Sequence, residues 1–289
     1  MNKRILYPLI FSLFAVNGCE QNGQQTMETD AEPIHRFTKS IESKRIYFAH
    51  MSVGQDIING INDLLKENSR ASLTIIDKAN ADTGSLPESF LLHSKVGENT
   101  KPVSKCLDYR SIVNSELKDK IDYALLKFCY IDINENTNVP ELFDTYRSTI
   151  DKLISENPGT RFIHITVPLR YTDSGLQVWV RELIGQPNKT KMANIKRNEF
   201  NNLLKDHYGR NQPVFDLAVA QSTYPDGRTE TFTYKSDYTY NTLIGDYTYD
   251  GGHLNEYGRQ KVARDFLKFL DKQIKQDDSR KNLASTLAE

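Results

Sequence analysis

The stretch Arg45–Leu65, R-I-Y-F-A-H-M-S-V-G-Q-D-I-I-N-G-I-N-D-L-L, decides the fold. Ile46, Tyr47, Phe48 and Ala49 form an apolar run with the length of a buried strand. From Ser52 the period changes, and Ile57, Ile58, Ile61, Leu64 and Leu65 fall on one face of a helix. A strand that ends near His50 and passes within a few residues into a helix leaves a crevice at its carboxyl end. In open α/β sheets ligands bind in that crevice. Ser52 stands there, and its hydroxyl has two readings. S-V-G-Q is a capping box, with Gln55 three residues after Ser52, so the serine could serve only to satisfy free N–H groups of the helix. The other reading is a nucleophile, which needs a base from elsewhere in the chain.

Outward from this stretch, further β-type runs lie at Leu73–Asp77, Asp122–Ile131, Arg161–Val167 and Pro213–Leu217. Helical patterns cover Ile112–Lys120, Leu142–Ile154, Lys191–Tyr208 and Glu256–Lys275, while residues 88–110 have weak periodicity and read as loop. Strands alternating with helices imply βαβ units with right-handed crossovers. The expected fold is therefore α/β: one three-layer α/β/α domain over residues 35–289 with a parallel sheet of about five strands. Residues 224–249 break the alternation. They are dense in Tyr and Thr, with turn signals at Asp226-Gly227 and Gly245-Asp246, and read as a hairpin inserted before the last helix.

The 289-residue chain is 38% hydrophobic and 26% charged with a formal net charge of -1, so it has no polybasic signature and nucleic acid is excluded as a partner. At the N-terminus, Lys3 and Arg4 precede the short apolar run Ile5–Val16, the pattern of an export signal. Val16-Asn17-Gly18-Cys19 resembles a bacterial lipobox. That resemblance implies a signal peptide over 1–18, lipidation of Cys19 and attachment to a membrane through the lipid. Glu20 follows where an aspartate would retain the protein at the inner membrane, so the implied address is the outer membrane of a bacterial cell envelope. Residues 19–34, rich in Gln, Thr, Glu and Asp, read as a flexible tether. Cys106 and Cys129 either pair, as cysteines of exported proteins do, or remain two buried thiols. No C-x-x-C or H-E-x-x-H spacing exists, so no metal site is expected. His164 reads as a core histidine, and His35, His93 and His207 have no neighbours in sequence that suggest chemistry.

Asp250-Gly251-Gly252-His253 directly precedes the last helix. It is an Asp-Gly turn, and it is also a geometry in which a carboxylate reaches the imidazole three residues on. That contact fixes the tautomer and leaves Nε2 free as a base. Tyr247 and Tyr249 lead straight into this block, so they are either a cover for the sheet edge or the wall of a substrate groove.

The two motifs together resemble the SGNH, or GDSL-like, hydrolase superfamily. H-M-S-V-G at 50–54 matches its nucleophile block loosely, and D-G-G-H-L-N at 250–255 matches its D-x-x-H block well. Val167-Pro-Leu and Asp216-Leu-Ala also look like the family, over a span from about Lys44 to Ile274. The resemblance implies a flavodoxin-like fold and a serine esterase that needs no cofactor. Ser52 becomes the nucleophile, His253 the base and Asp250 its orienter. The oxyanion donors become the backbone N–H groups of Ser52 and of a glycine after the second strand, where Gly84 stands. The family's third donor is an asparagine in G-x-N-D after the third strand. Here that place reads K-F-C-Y-I-D-I-N, a departure that leaves Tyr130, Asp132 or Asn134 to approach the site. The substrate class implied is an acyl ester, above all acetyl, on carbohydrate, with Tyr130, Tyr247 and Tyr249 as binding residues. The alternatives are a non-catalytic carbohydrate-binding or envelope-assembly lipoprotein on the same scaffold, an acyltransferase, or a lipid esterase.

Overall fold

The strand read from Ile46–Ala49 lies near the middle of a six-stranded, all-parallel sheet in the computed structural model, which describes residues 32–173, 188–235 and 237–286. The signal segment, Cys19 and nearly all of the tether therefore lie outside the described residues. The strands are β1 (Arg45–His50), β2 (Ile75–Asp77), β3 (Phe90–Lys95), β4 (Tyr123–Leu126), β5 (Arg161–Ile165) and β6 (Val214–Phe215), in the order β2-β3-β1-β4-β5-β6. The order reverses between β1 and β4, so the ligand crevice of this topology lies at their carboxyl ends.

Period-2 alternation along β1 divides the core in two. Ile46 and Phe48 point to one face, where α1 (His35–Ile41), α2 (Val53–Lys66), the short α6 (Leu217–Ser222) and α7 (Glu256–Thr286) cover the sheet. Tyr47 and Ala49 point to the other face, under α3 (Pro102–Ser111), α4 (Val139–Glu156) and α5 (Lys189–Tyr208). The helical stripe read after Ser52 is the buried face of α2: Ile57, Ile58, Ile61 and Leu64 are all shielded from water. Burying side chains of this size contributes roughly 1.5–3 kcal/mol each. This stripe holds the helix, and with it Ser52, against the sheet.

The α/β fold is as expected, and the differences in detail have local causes. The extra strand is β3, inside residues 88–110 that read as loop. F-L-L-H-S-K shows no alternation because both of its faces are covered, and it buries His93 and Ser94 along with its leucines. The helix expected at Ile112–Lys120 begins ten residues earlier, at Pro102, and ends in a π-turn over Ile112–Glu116. The long run Asp122–Ile131 is strand only to Leu126, after which Tyr130–Asp132 make a tight 3-10 turn. Residues 231–234 and 238–241 do form an antiparallel hairpin, β7 and β8, outside the main sheet. Cys106 and Cys129 are both buried free thiols.

Candidate active site

Two residues, Met51 and Ser52, connect β1 to α2. A turn this short requires an unusual backbone, and Ser52 has φ 51° and ψ -113°, in a region that side chains other than glycine rarely occupy. Such a conformation costs on the order of 1–3 kcal/mol and persists only where packing imposes it. Gly54 makes the packing possible. A Cβ there would lie 2.3 Å from His50 Cβ, so the first turn of α2 can settle on the end of β1 only without one.

The capping-box reading of Ser52 does not hold. Its side chain makes no cap hydrogen bond, and Gln55 Nε2 donates instead to Asn59 Oδ1 at 3.1 Å. Ser52 Oγ lies 2.6 Å from His253 Nε2. On the other side of the ring, His253 Nδ1 lies 2.6 Å from Asp250 Oδ2. The two glycines do what the spacing demanded: Gly251 has φ 79°, and the chain doubles back so that Asp250 Oδ1 accepts the N–H groups of Gly252 at 2.8 Å and His253 at 2.7 Å. Partial burial raises the Asp250 pKa, but hydrogen bonds from the His253 ring, its N–H and that of Gly252 outweigh it and hold the carboxyl below its ordinary value. An ionised Asp250 keeps the proton on Nδ1, which leaves Nε2 to accept from Ser52 Oγ–H. The loop is tied to α2 by Asp56, whose Oδ2 accepts the N–H of Leu254 at 3.0 Å.

The remaining expected residues divide. Tyr130 belongs to the site: its ring stands edge-on to His253 with centroids 5.7 Å apart. Tyr249 does as well. It is 69% exposed, and its ring lies nearly parallel to the imidazole at 5.8 Å. Tyr247, two residues away, is buried in the core, with its hydroxyl donating to the Thr223 carbonyl at 3.3 Å. It is a packing residue and not a groove wall. Tyr247 closes the 3-10 turn Gly245–Tyr247 and faces the core, whereas Tyr249 follows the turn on the loop that leads to Asp250. Gly84 is also corrected as an oxyanion donor, because its N–H donates to Asp82 Oδ1 at 2.8 Å within an exposed turn. Asp132 points away from the triad and pairs with Lys105, while Asn134 Oδ1 accepts the N–H of Asn136. The Ser52 N–H, by contrast, has no acceptor among the described residues and stands at the N-terminus of α2.

Sequence reading missed three cations and two histidines around this centre. Arg170 follows the Val167-Pro-Leu segment by one residue. Its Nε donates to Gly251 O and its Nη2 to Asp250 O, both at 3.3 Å, and its guanidinium lies 5.5 Å from the Tyr130 ring centre. Arg197, buried on α5, donates through Nε to the Tyr130 carbonyl at 2.8 Å. Lys127 is fully buried at the end of β4, and burial, more than any other cause, brings its pKa down to about 8. His50 on β1 and His93 on β3, offset by two residues in the strand register, bring Nε2 and Nδ1 to 3.1 Å. Lys127 and His50 could be read from their place at a strand end, but Arg197 in the middle of α5 and His93 inside β3 carry no such signal.

Fold and site together define an α/β protein with a Ser–His–Asp relay at the carboxyl edge of a parallel sheet. No protein-family model matches the chain, and no curated relative matches it in sequence. Solved structures similar in fold include a GDSL-like lipase from Bacteroides thetaiotaomicron, 15% identical, covering 81% of this chain and 89% of that one with a TM-score of 0.49. A lipase/acylhydrolase from Enterococcus faecalis is 16% identical over 79% of this chain and 96% of that one, with a TM-score of 0.44. The periplasmic domain of a lipopolysaccharide acetyltransferase from Salmonella Paratyphi A is 15% identical over 81% and 86%, with a TM-score of 0.40.

Proposed function

We propose that this chain is a serine ester hydrolase of the SGNH type. The observation that carries the reading is the continuous relay from Ser52 Oγ through His253 to Asp250, with both links at 2.6 Å. Asp250 orients the imidazole and stabilises it when charged. His253 Nε2 takes the Ser52 proton as Oγ attacks the ester carbonyl, then returns it to the leaving alkoxide. Water, activated by the same nitrogen, hydrolyses the acyl-enzyme. The Ser52 N–H at the positive end of α2 faces the developing oxyanion.

The favoured substrate is a short acyl ester, such as acetyl, on carbohydrate. Tyr249 supports this: an exposed ring stacked beside the base offers an apolar face to a sugar and a hydroxyl to its polar edge. The lipobox-like V-N-G-C motif supports export, anchoring through Cys19 and an outer-membrane address. The test is turnover of p-nitrophenyl acetate by the protein and by Ser52→Ala, together with labelling by a fluorophosphonate. Ser52-dependent turnover and a single labelled serine are expected. Equal background rates in both proteins would leave a binding role on the same scaffold as the better reading.

A further inference from the structure

An oxyanion needs more than one donor to be held well, and the expected set is incomplete here. The Ser52 N–H is available, Gly84 is engaged by Asp82, and K-F-C-Y stands where the resemblance called for G-x-N-D. What that segment brings to the site is Tyr130. Its ring packs on the Asp-Gly-Gly-His loop so closely that a Cβ on Gly252 would lie 2.8 Å from Cζ and 3.0 Å from the phenol oxygen. The ring meets His253 edge-on at 5.7 Å, and His253 Nε2 lies 2.6 Å from Ser52 Oγ, which places the phenol beside the nucleophile.

We propose that the Tyr130 hydroxyl is a catalytic oxyanion donor, taking the place of a side-chain amide. The assignment rests on the ester-hydrolase reading above. In the resting site the Ser52 proton is directed to His253 Nε2, so a lone pair of Oγ is free to accept from the phenol O–H. When Oγ bonds to the carbonyl carbon it loses that basicity, and the former carbonyl oxygen, one bond beyond, takes up the negative charge. The phenol O–H then has a far stronger acceptor within reach. It stabilises the tetrahedral intermediate more than the substrate, which is the condition for raising turnover.

Two features suit Tyr130 to this role. Burial, first of all, with Cys129 and Asp250 adding to it, raises the phenol pKa against the opposing pull of Arg170 and Ser52, so the group stays a neutral donor. The backbone beneath it is also held firmly. Arg197 Nε donates to the Tyr130 carbonyl at 2.8 Å. The Asp132 carboxylate closes the 130–132 turn by accepting the N–H of Cys129 at 2.6 Å, that of Thr100 at 3.0 Å and the buried Lys105 ammonium at 2.5 Å. A donor fixed in this way needs no reorganisation at the moment of reaction.

The experiment is steady-state kinetics of Tyr130→Phe on p-nitrophenyl acetate, which carries no sugar, beside wild type and Ser52→Ala. An oxyanion role predicts a fall in kcat of roughly 10²–10³ with KM changed by no more than about threefold. A sugar-binding wall predicts near-normal kcat on this ester. Retention of more than about a tenth of wild-type kcat overturns the assignment. Ser52-dependent turnover in wild type with an unimpaired Phe variant sinks only the role of Tyr130. Absence of Ser52-dependent turnover in wild type removes the hydrolase reading and this one with it. Site-specific replacement of Tyr130 by 3,5-difluorotyrosine keeps the shape and makes the phenol more acidic. The alkaline limb of the kcat profile should then move to lower pH, which a structural role would not produce; an unmoved limb overturns the proposal independently of how the Phe variant folds.

Discussion

Replacing Asp250 by Asn isolates orientation of the base from the rest of the site. The side chain has two jobs on separate oxygens: Oδ1 accepts the N–H groups of Gly252 and His253, and Oδ2 accepts from His253 Nδ1 at 2.6 Å. An asparagine can keep its carbonyl oxygen on the two backbone groups, so the loop should retain its shape. Its NH₂ then faces Nδ1 and forces the ring proton onto Nε2, where Ser52 Oγ–H loses its acceptor. In a buried triad this exchange of tautomer costs on the order of 10⁴ in kcat. Here the Asp250 side chain is 40% exposed, so water competes for the ring and softens the loss. The expected fall in kcat is therefore about 10²–10⁴, or roughly 3–5 kcal/mol of transition-state stabilisation. The assay is turnover of p-nitrophenyl acetate with a parallel melting curve. Asp250→Ala, which also removes the backbone acceptor, should lower the melting temperature where Asp250→Asn does not. Activity of the Asn variant within tenfold of wild type, with an unchanged melting temperature, would refute the orienting role.

Three further outcomes follow from the geometry. Tyr249→Ala should lower turnover of an acetylated oligosaccharide while sparing p-nitrophenyl acetate, because the exposed ring touches the base only by stacking; equal loss on both substrates would make it structural. Asp132→Ala strands the Lys105 ammonium in the core and should cost about 3–5 kcal/mol in urea denaturation, whereas Lys105→Met combined with Asp132→Leu should recover part of the loss. The pH dependence has a definite sign at His164: burial first, then His207 and Arg161, brings its folded pKa from 6.5 to about 3. The unfolded chain therefore binds a proton below pH 6.5 that the native state refuses, so this group's contribution is full above pH 6.5 and is lost as pH falls toward 3. His164→Gln should flatten that limb in melting curves between pH 7 and 4, and an unaltered limb would place the acid sensitivity elsewhere.

Local pattern in the sequence was enough for the frame and for the Asp250–His253 half of the relay, while Ser52 was joined to it only through the resemblance of the two motifs to one family. Ile46–Ala49 and the stripe from Ile57 to Leu65 are a buried strand and an amphipathic helix because burial selects those periods directly. Asp250-Gly-Gly-His253 closes on itself because two glycines let three residues reverse direction. What tertiary structure decided is everything that depends on which side of an element faces the site. β3 escaped pattern reading because both its faces are covered, and polar His93 and Ser94 are buried with its leucines. Tyr247 and Tyr249 are indistinguishable by composition, yet one is in the core and the other stacks on the base, since only the path of the loop sets their orientation. Ser52 satisfied a capping box in sequence, but its strained backbone aims Oγ at an imidazole on another element 201 positions away. Arg170 and Arg197 carry no motif at all, and Tyr130 was legible only as one of three residues in the segment that departs from G-x-N-D. Their juxtaposition exists only because β4, β5, α5 and the Asp-Gly-Gly-His loop end at the same edge of one sheet, a fact that no spacing along the chain records.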